Sequence, residues 1–83
     1  MDEQTIRPEC LRAYGDDWVA PTGDEVREVL RRAGLSGRTA ALLLGLGSSG
    51  GRTVRRWCAE KPPVPYAAWA ILCDAASLGR IWR

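Results

Sequence analysis

The sequence predicts a small all-α protein of four to five helices. Apolar residues recur at helical spacing in several windows, and no window alternates between apolar and polar residues as a half-exposed strand does. Glycine and proline fall between those windows, at the places where helices end and begin. With 83 residues, of which 46% are hydrophobic and 27% charged, the chain has the size and composition of one small globular domain and not of a disordered segment.

The chain is expected to consist of an N-terminal extension, residues 1–21, and a main domain, residues 22–83. In the extension, the stretch PECLRAY (8–14) can form one short helix, with Pro8 at its first position and Gly15 after its end. No residue of the extension belongs to a pattern that indicates a catalytic or binding site. The function is therefore sought in the main domain.

The first helix of the main domain is predicted from about Asp24 to Ala33. Thr22 and Glu25 have the spacing of a capping box, in which each side chain accepts a hydrogen bond from the backbone N–H of the other residue. Four apolar residues at i, i+3, i+4 and i+7 predict one buried stripe: Val26, Val29, Leu30 and Ala33. The other face mixes charges of both signs at helix spacing, which favours solvated ion pairs over a binding patch: Asp24, Arg27, Glu28, Arg31 and Arg32.

Three further helices are predicted after Gly34. The second runs from about Gly37 to Leu44, with Ser36 as its N-cap and Gly45 after its end. The third runs from Gly51 to Glu60, with Val54 and Trp57 facing inward, and the prolines at 62 and 63 follow it. The fourth runs from about Tyr66 to Ala76, ends at Gly79 and leaves the tail RIWR (80–83). Its apolar stripe, together with Trp57, is interpreted as core: Trp69, Leu72, Cys73 and Ala76.

Residues 45–50 read GLGSSG and match the letters of a dinucleotide-binding turn, G-x-G-x-x-G. Such a turn needs a strand before it, a long helix after it and an acid about twenty residues further on. Here a predicted helix precedes the turn, Pro62 interrupts the helix that follows, and the residues around position 70 read PYAAWAIL. The P-loop pattern has no match either, so GLGSSG is interpreted as a turn between two helices.

The composition argues against several classes of function. The chain has no histidine, the commonest general base, and no nucleophile-elbow pattern, so no enzymatic activity and no catalytic residue are expected. Three cysteines without a CxxC predict reduced, buried thiols, with no metal and no cofactor: Cys10, Cys58 and Cys73. No apolar stretch has membrane-spanning length and the first residues are acidic and polar, which predicts a cytoplasmic protein without a membrane partner or a small-molecule substrate.

Positive charge is concentrated in the second part of the chain. Residues 1–34 hold eight acids and five bases, whereas residues 35–83 hold two acids and seven bases. Three of those bases, Arg52, Arg55 and Arg56, share the predicted third helix, in which no acid precedes Glu60. The guanidinium group is a fork-shaped donor suited to phosphates and guanine edges, so this helix is predicted to bind double-stranded DNA.

A short helix, a glycine-containing turn and a basic helix have the layout of a helix-turn-helix. In that motif the outward side chains near the start of the second helix reach base edges in the major groove. The base-reading residues are therefore predicted to be Arg52, Thr53 and Arg56.

Contacts with DNA phosphates are predicted beside that helix. Arg55 and Lys61 lie where phosphates can be reached. The backbone N–H groups at 37–39, which open the preceding helix, can hold another phosphate with Arg38 beside them.

The run GLSGRTAALLLGL (34–46), followed by RTVRRW (52–57) and PVPYAAW (63–69), resembles the Cro/repressor-type (XRE-like) helix-turn-helix family. Among its members, the chain is similar to small regulators of phages and mobile elements, including anti-CRISPR-associated repressors with a comparable PxPY segment. The resemblance covers about residues 24–76. The residues that match the family pattern are Gly34, Leu35, Ser36, Ala40, Ala41, Leu44, Gly45, Leu46, Val54 and Trp57.

The resemblance implies groove-reading roles for Arg52, Thr53 and Arg56 and adds phosphate-holding roles for three residues: Ser36, Arg38 and Thr39. The chain departs from the family pattern at Gly37, where a glutamine is common, and at Cys58, where an acid usually follows the tryptophan. Its turn is also about three residues longer than usual. Ser48 and Ser49 in that turn can cap the following helix, contact phosphate or do neither.

The function predicted from the sequence is a DNA-binding transcriptional repressor that binds an inverted repeat in its own operon as a homodimer. Residues for the dimer interface are predicted among Trp69, Ile81 and Trp82, although Trp82 can equally dock on its own chain. The alternative is a protein-interaction module on the same scaffold, such as an antitoxin, an adaptor or an inhibitor of a host factor.

Overall fold

The structure is a computed structural model and describes residues 6–83. Within that range the chain forms a 3-10 helix, Pro8–Leu11, and four α-helices, with no strand. The α-helices are α1 (Gly23–Ala33), α2 (Gly37–Leu44), α3 (Gly50–Cys58) and α4 (Tyr66–Ala75). The predicted all-α class is confirmed.

Helix α1 begins and ends as its local sequence predicts. The Thr22 hydroxyl accepts a hydrogen bond from the Glu25 N–H at 3.2 Å, and the Glu25 carboxylate accepts one from the Thr22 N–H at 2.7 Å. Gly34 ends the helix in the left-handed conformation, with φ of 70°, which glycine adopts without a steric cost.

Helix α2 also has the predicted bounds. Its start carries a capping box. The sequence predicted Ser36 as the N-cap but not the role of Thr39 in this box. The Ser36 hydroxyl accepts from the Thr39 N–H at 3.1 Å, and the Thr39 hydroxyl accepts from the Ser36 N–H at 2.8 Å. Gly45, with φ of 72°, ends the helix and opens the turn of residues 45–49.

Helix α3 ends two residues earlier than predicted. Glu60 adopts φ of 60°, and the Lys61 N–H bonds back to the Arg56 carbonyl at 3.0 Å. That is a Schellman-type ending with glutamate in the position that glycine usually takes.

Helix α4 ends in the same way, and before the predicted glycine. Ser77 has φ of 65°, and the Leu78 N–H bonds to the Cys73 carbonyl at 2.9 Å. Ser77, and not Gly79, therefore turns the chain out of the helix.

The core lies between α1, α3 and α4, and α2 packs on α3. Trp57 and Trp69 are buried in it, which confirms their assignment to the core. Glu60 links two of these helices, because its carboxylate accepts a hydrogen bond from the Gly23 N–H, the first of α1, at 2.7 Å. None of the helices within residues 6–83 is both long and apolar enough to cross a membrane.

Residues 6–21 lie against the helices. Ile6 and Cys10 belong to the buried core, and the Cys10 carbonyl accepts hydrogen bonds from the indole N–H groups of Trp18 (3.0 Å) and Trp69 (2.7 Å). Arg7 donates to the buried carboxylate of Glu25 through its backbone N–H and its guanidinium group. The boundary drawn at residue 21 stays a prediction, and this segment shares its core with the helices.

The three cysteines are free thiols. Burial raises the pKa of Cys10 to about 11 and that of Cys73 to about 12. Both side chains are therefore protonated at neutral pH and pack as small apolar groups.

Candidate nucleic-acid interface

The arginines of α1 are neutralised by carboxylates of the same helix. Arg27 pairs with Asp24, and Arg31 and Arg32 both pair with Glu28. The hydrogen bonds from Arg31 and Arg32 lower the pKa of Glu28 to about 2. The prediction of an ion-pair face on α1 is confirmed, and that face has little unbalanced positive charge to offer an anion.

The arginines of α3 are in the opposite situation. Arg52, Arg55 and Arg56 are exposed, and none of them forms an ion pair within residues 6–83. The same holds for Arg38 on α2 and for Lys61 beyond the end of α3. Five cationic side chains that have no counter-ion among the described residues thus lie on or next to the α2–α3 unit, which favours an external polyanion as their partner.

Helices α2 and α3 also approach each other at two further glycines, Gly37 and Gly51. A Cβ atom on Gly37 would lie 3.4 Å from the Gly51 carbonyl oxygen, and one on Gly51 would lie 3.6 Å from the Arg38 nitrogen. The Arg55 side chain lies over the same point, since its Nη1 would be 3.9 Å from the first of those Cβ atoms and 3.6 Å from the second. The starts of both helices and the Arg55 guanidinium group therefore meet at one place.

A cleft of about 320 Å³ opens at that place, and we call it the basic cleft. Five of its six lining residues were predicted from the sequence to contact DNA. The lining residues are Arg38, Ser48, Ser49, Gly51, Arg52 and Arg55. A neighbouring cleft of about 450 Å³ shares Arg38, Ser48 and Gly51 with it and continues toward Leu42 and Gly47.

The N-terminus of α2 faces this region with two backbone donors to spare. The first N–H groups of a helix have no acceptor within the helix, and here the N–H of Thr39 is already used by Ser36. The N–H groups of Gly37 and Arg38 remain, and the helix dipole favours an anion beside them.

The hydroxyl groups of Ser36 and Thr39 are engaged with each other's backbone N–H groups. Sequence reasoning assigned both residues to phosphate contacts and missed that Thr39 completes a capping box. Thr at the third helical position is a weaker signal for a box than glutamate or glutamine. Their structural role is to fix the start of α2, which orients the free N–H groups.

Ser49 is the N-cap residue of α3, but its side chain makes no capping hydrogen bond. Helix α3 therefore starts without the side-chain cap that α1 and α2 have. Ser48 and Ser49 both line the basic cleft, together with Arg38 and Arg52.

The remaining residues predicted to contact DNA lie outside the basic cleft. Arg56 is exposed on α3 one turn after Arg52, and Thr53 beside them is half-buried. Lys61 is exposed after the end of α3, where its backbone N–H closes the helix. The residues predicted to read bases thus all lie on α3, and one of them, Arg52, also lines the basic cleft.

The residues predicted for a dimer interface are not brought together as a surface. Trp69 is fully buried and hydrogen-bonded to the Cys10 carbonyl, so its side chain cannot reach a second copy without unpacking the core, and that assignment is corrected. Ile81 is also buried, whereas Trp82 is exposed.

Two positioning contacts were not anticipated from the sequence. Glu25 holds Arg7 across 18 residues of chain, and Glu60 holds Gly23 across 37. Of these two contacts, only the one made by Glu25 was indicated in part by the sequence, because Glu25 was recognised as the acid of a capping box.

The all-α fold and the α3 arginines, which have no counter-ion within residues 6–83, are features of small DNA-binding regulators. Two curated relatives show the family. The chain is 60% identical over 83 residues to the Transcriptional repressor protein KorC of Escherichia coli, an alignment that covers 100% of this chain and 96% of the relative. A second E. coli KorC sequence is 57% identical over 82 residues, covering 99% of this chain and 95% of that protein. The chain belongs to the KorC family of transcriptional repressors.

No protein-family model matches the chain. No solved structure matches it either.

Proposed function

We propose that this chain represses its own operon by binding an inverted repeat in the promoter as a homodimer, so that bound protein blocks RNA polymerase. One observation carries the DNA-binding part: the arginines of α3 have no counter-ion within residues 6–83, whereas those of α1 are paired. The same residue type with and without partners in one small protein points to an external polyanion at α3.

Helix α3 is the reading helix in this proposal. Arg52 and Arg56 are exposed one turn apart, and the half-buried Thr53 lies three residues before Arg56 and so neighbours it on the helix surface. Arginine forms bidentate hydrogen bonds with the O6 and N7 atoms of guanine, and threonine can contact a base edge or a thymine methyl group. Sequence specificity would come from these three residues.

Phosphate contacts would come from the basic cleft and its rim. Arg38 and Arg55 supply charge, and the N–H groups of Gly37 and Arg38 supply directed donors. Ser48 and Ser49 line the same cleft, Lys61 adds an exposed charge beyond the end of α3, and the capping pair Ser36 and Thr39 fixes the start of α2. Such contacts fix the register on the duplex and make affinity steeply dependent on salt.

We further propose that the chain is a helix-turn-helix protein of the Cro/repressor (XRE-like) type from a phage or another mobile element, similar to anti-CRISPR-associated repressors. Support comes from the pattern of residues 34–46, since α2 ends at Leu44 and Gly45 opens the turn as that pattern requires. The burial of Ala40 and Ala41 against α3 and of Val54 and Trp57 in the core agrees with the same pattern.

A protein partner remains the second candidate, because α2 carries two leucines in solvent. Leu42 is 65% exposed and Leu43 50% exposed. Such a pair can dock on another protein, as an antitoxin or adaptor would. Membership of a repressor family and the unpaired arginines favour DNA over this alternative.

The test is a gel shift and a footprint on the DNA upstream of the protein's own gene, at salt concentrations from about 50 to about 200 mM. We expect protection of an inverted repeat and an affinity that falls steeply across the series. Absence of binding at the lowest salt would refute the proposal, and co-purification of a tightly bound protein would then support the alternative.

A further inference from the structure

We propose that two copies of this chain associate through a cleft between α4 and the C-terminal tail, which we call the α4 cleft. It measures about 260 Å³ and is lined by Tyr66, Ala67, Ala70, Ile71 and Trp82. The inference rests on the proposed function in one respect, because a two-fold dimer is what an inverted repeat requires.

Two large apolar side chains of this cleft are exposed to water. Ile71 is 42% exposed and Trp82 is 46% exposed, although Trp69, Leu72 and Cys73 of the same helix are fully buried. Burial of an isoleucine and a tryptophan on association is favourable by about 25 cal/mol per Å² of apolar surface. The cleft therefore gains more from being covered than other parts of α4.

The centre of the cleft is shallow enough for a second helix to approach. Ala67, Ala70 and Ile71 fall at i, i+3 and i+4 on α4, so they share one side of the helix. Two of the three have no side chain beyond Cβ, and small residues allow helix axes to come within about 8 Å of each other. The α4 helix of a second copy meets these requirements, since it presents the same small residues.

One wall of the cleft is held rigid and apolar. The Tyr66 hydroxyl donates to the Arg12 carbonyl at 3.1 Å, so its polar atom is already satisfied within the chain. The Tyr66 ring packs edge-on against Trp18, with centroids 5.0 Å apart. A wall fixed in this way loses little side-chain entropy when a partner covers it.

The charges around the cleft are of both signs. They therefore complement a second copy of this surface better than a foreign surface of one sign. Asp74 lies one turn after Ile71 on α4, and Arg80 and Arg83 flank Trp82. None of the three has an ion pair among the described residues. A two-fold interface brings a surface against its own copy, so the acid of one protomer can face the bases of the other. The mixture of signs thus favours a second copy as the occupant.

The α4 cleft also leaves the DNA surface free. It shares no residue with the basic cleft or with the cleft next to that one. The exposed leucines of α2 are a poorer dimer surface, because Leu42 lines a cleft together with Arg38 and Ser48. A partner copy seated there would cover cationic groups that DNA needs.

The test compares the wild-type chain with Ile71→Glu and with the matched control Leu43→Glu by sedimentation equilibrium. Both substitutions place a carboxylate at an exposed apolar position, so both chains should keep the wild-type circular dichroism spectrum. We expect a dimer for the wild type and for Leu43→Glu, and a monomer for Ile71→Glu. A dimer of Ile71→Glu with the wild-type dissociation constant, or a monomeric wild type, would overturn the inference.

DNA binding separates this inference from the proposed function. On the full inverted repeat Ile71→Glu should bind at least about tenfold more weakly than the wild type, and on a half-site equally well. If Ile71→Glu is monomeric and the wild type binds no upstream DNA, the α4 cleft stands and the proposed operator is refuted. If the wild type protects the operator as a monomer, the proposed operator stands and the α4 cleft is refuted as a dimer interface.

Discussion

Gly50 packs so tightly against Ala41 that no side chain fits between α3 and α2 at this point. A Cβ atom on Gly50 would lie 2.6 Å from the Cβ of Ala41 and also 2.6 Å from that of Leu46. Both separations are well below van der Waals contact, so any larger residue at position 50 displaces one helix relative to the other. The angle at which the arginine helix leaves the turn therefore depends on this glycine.

Alanine substitutions at the two adjacent glycines of α3 are predicted to change the free energy of unfolding in opposite directions. Gly50→Ala gains helix propensity but overpacks the α2–α3 contact, so we expect a net loss of about 1–3 kcal/mol in the free energy of unfolding. Gly51→Ala meets its nearest neighbour at 3.6 Å, an ordinary contact, so we expect a gain of up to about 1 kcal/mol. Urea denaturation measures both, and equal stabilities of the two variants would contradict the packing described for Gly50.

The DNA-binding proposal predicts different effects for different arginines. Arg52→Ala or Arg56→Ala should cost about 1–3 kcal/mol of binding free energy and should relax the preference at one base pair each. Arg38→Ala should weaken binding to all sequences alike and lower the slope of log K against log salt by about 1. Fluorescence anisotropy with operator and scrambled duplexes measures both effects.

Arg27→Ala is the matched control for these variants. It also removes an exposed arginine, but one that is paired with Asp24 on α1. Its operator affinity should stay close to that of the wild type. If the Arg52→Ala, Arg56→Ala double variant bound the operator as tightly as this control, α3 would not be the reading helix.

The ion pair between Arg7 and Glu25 predicts a loss of stability in acid. Burial alone would raise the pKa of Glu25, but hydrogen bonds from the Arg7 side chain and backbone and from the Thr22 N–H lower it to about 2. The unfolded carboxyl titrates near about 4.3, so the folded state binds its proton less tightly than the unfolded state. The contribution of Glu25 is therefore complete above about pH 4.3 and is lost as the pH falls toward 2.

Chemical denaturation at a series of pH values tests this assignment. Glu25→Gln and Arg7→Ala should each be less stable than the wild type at pH 7, and each should lose less of its remaining stability between pH 5 and pH 2. A Glu25→Gln curve parallel to that of the wild type would show that another group causes the acid dependence.

Glu60 is predicted to stabilise the fold as a helix cap supplied from a distance. Its carboxylate accepts the Gly23 N–H at the start of α1, so Glu60→Ala should cost about 1 kcal/mol of unfolding free energy. Glu60→Gln keeps an oxygen acceptor without the charge and should lose less. Thermal or urea unfolding of the pair distinguishes the hydrogen bond from a mere effect of residue size.

Both ends of α1 and α2 could be predicted from the sequence because their determinants are local. Thr22 and Glu25 are three residues apart, and Gly34 and Gly45 adopt the left-handed conformation that glycine tolerates. The ends of α3 and α4 could not be predicted, because Glu60 and Ser77 adopt the same conformation without being glycine. Their geometry is held by hydrogen bonds to α3 and α4 and leaves no compositional trace.

The candidate site could be predicted in its charge but not in its shape. Arg52, Arg55 and Arg56 were found because no acid accompanies them on α3. That Arg38 joins Arg52 and Arg55 in one cleft depends on the approach of Gly37 to Gly51, a contact between two helices. Burial of Trp69 beneath the N-terminal segment likewise depends on chain 59 residues away.

The two indole groups that donate to the Cys10 carbonyl come from positions far apart in the chain, so they become available at different times during translation. Translation delivers residue 10 early, but Trp69, which donates the shorter of the two bonds, follows it by 59 residues. In a nascent chain that still lacks α4, the Cys10 carbonyl can accept from the Trp18 indole but not yet from that of Trp69. The 3-10 helix that begins the described chain therefore reaches its final contacts only after the last α-helix has been made.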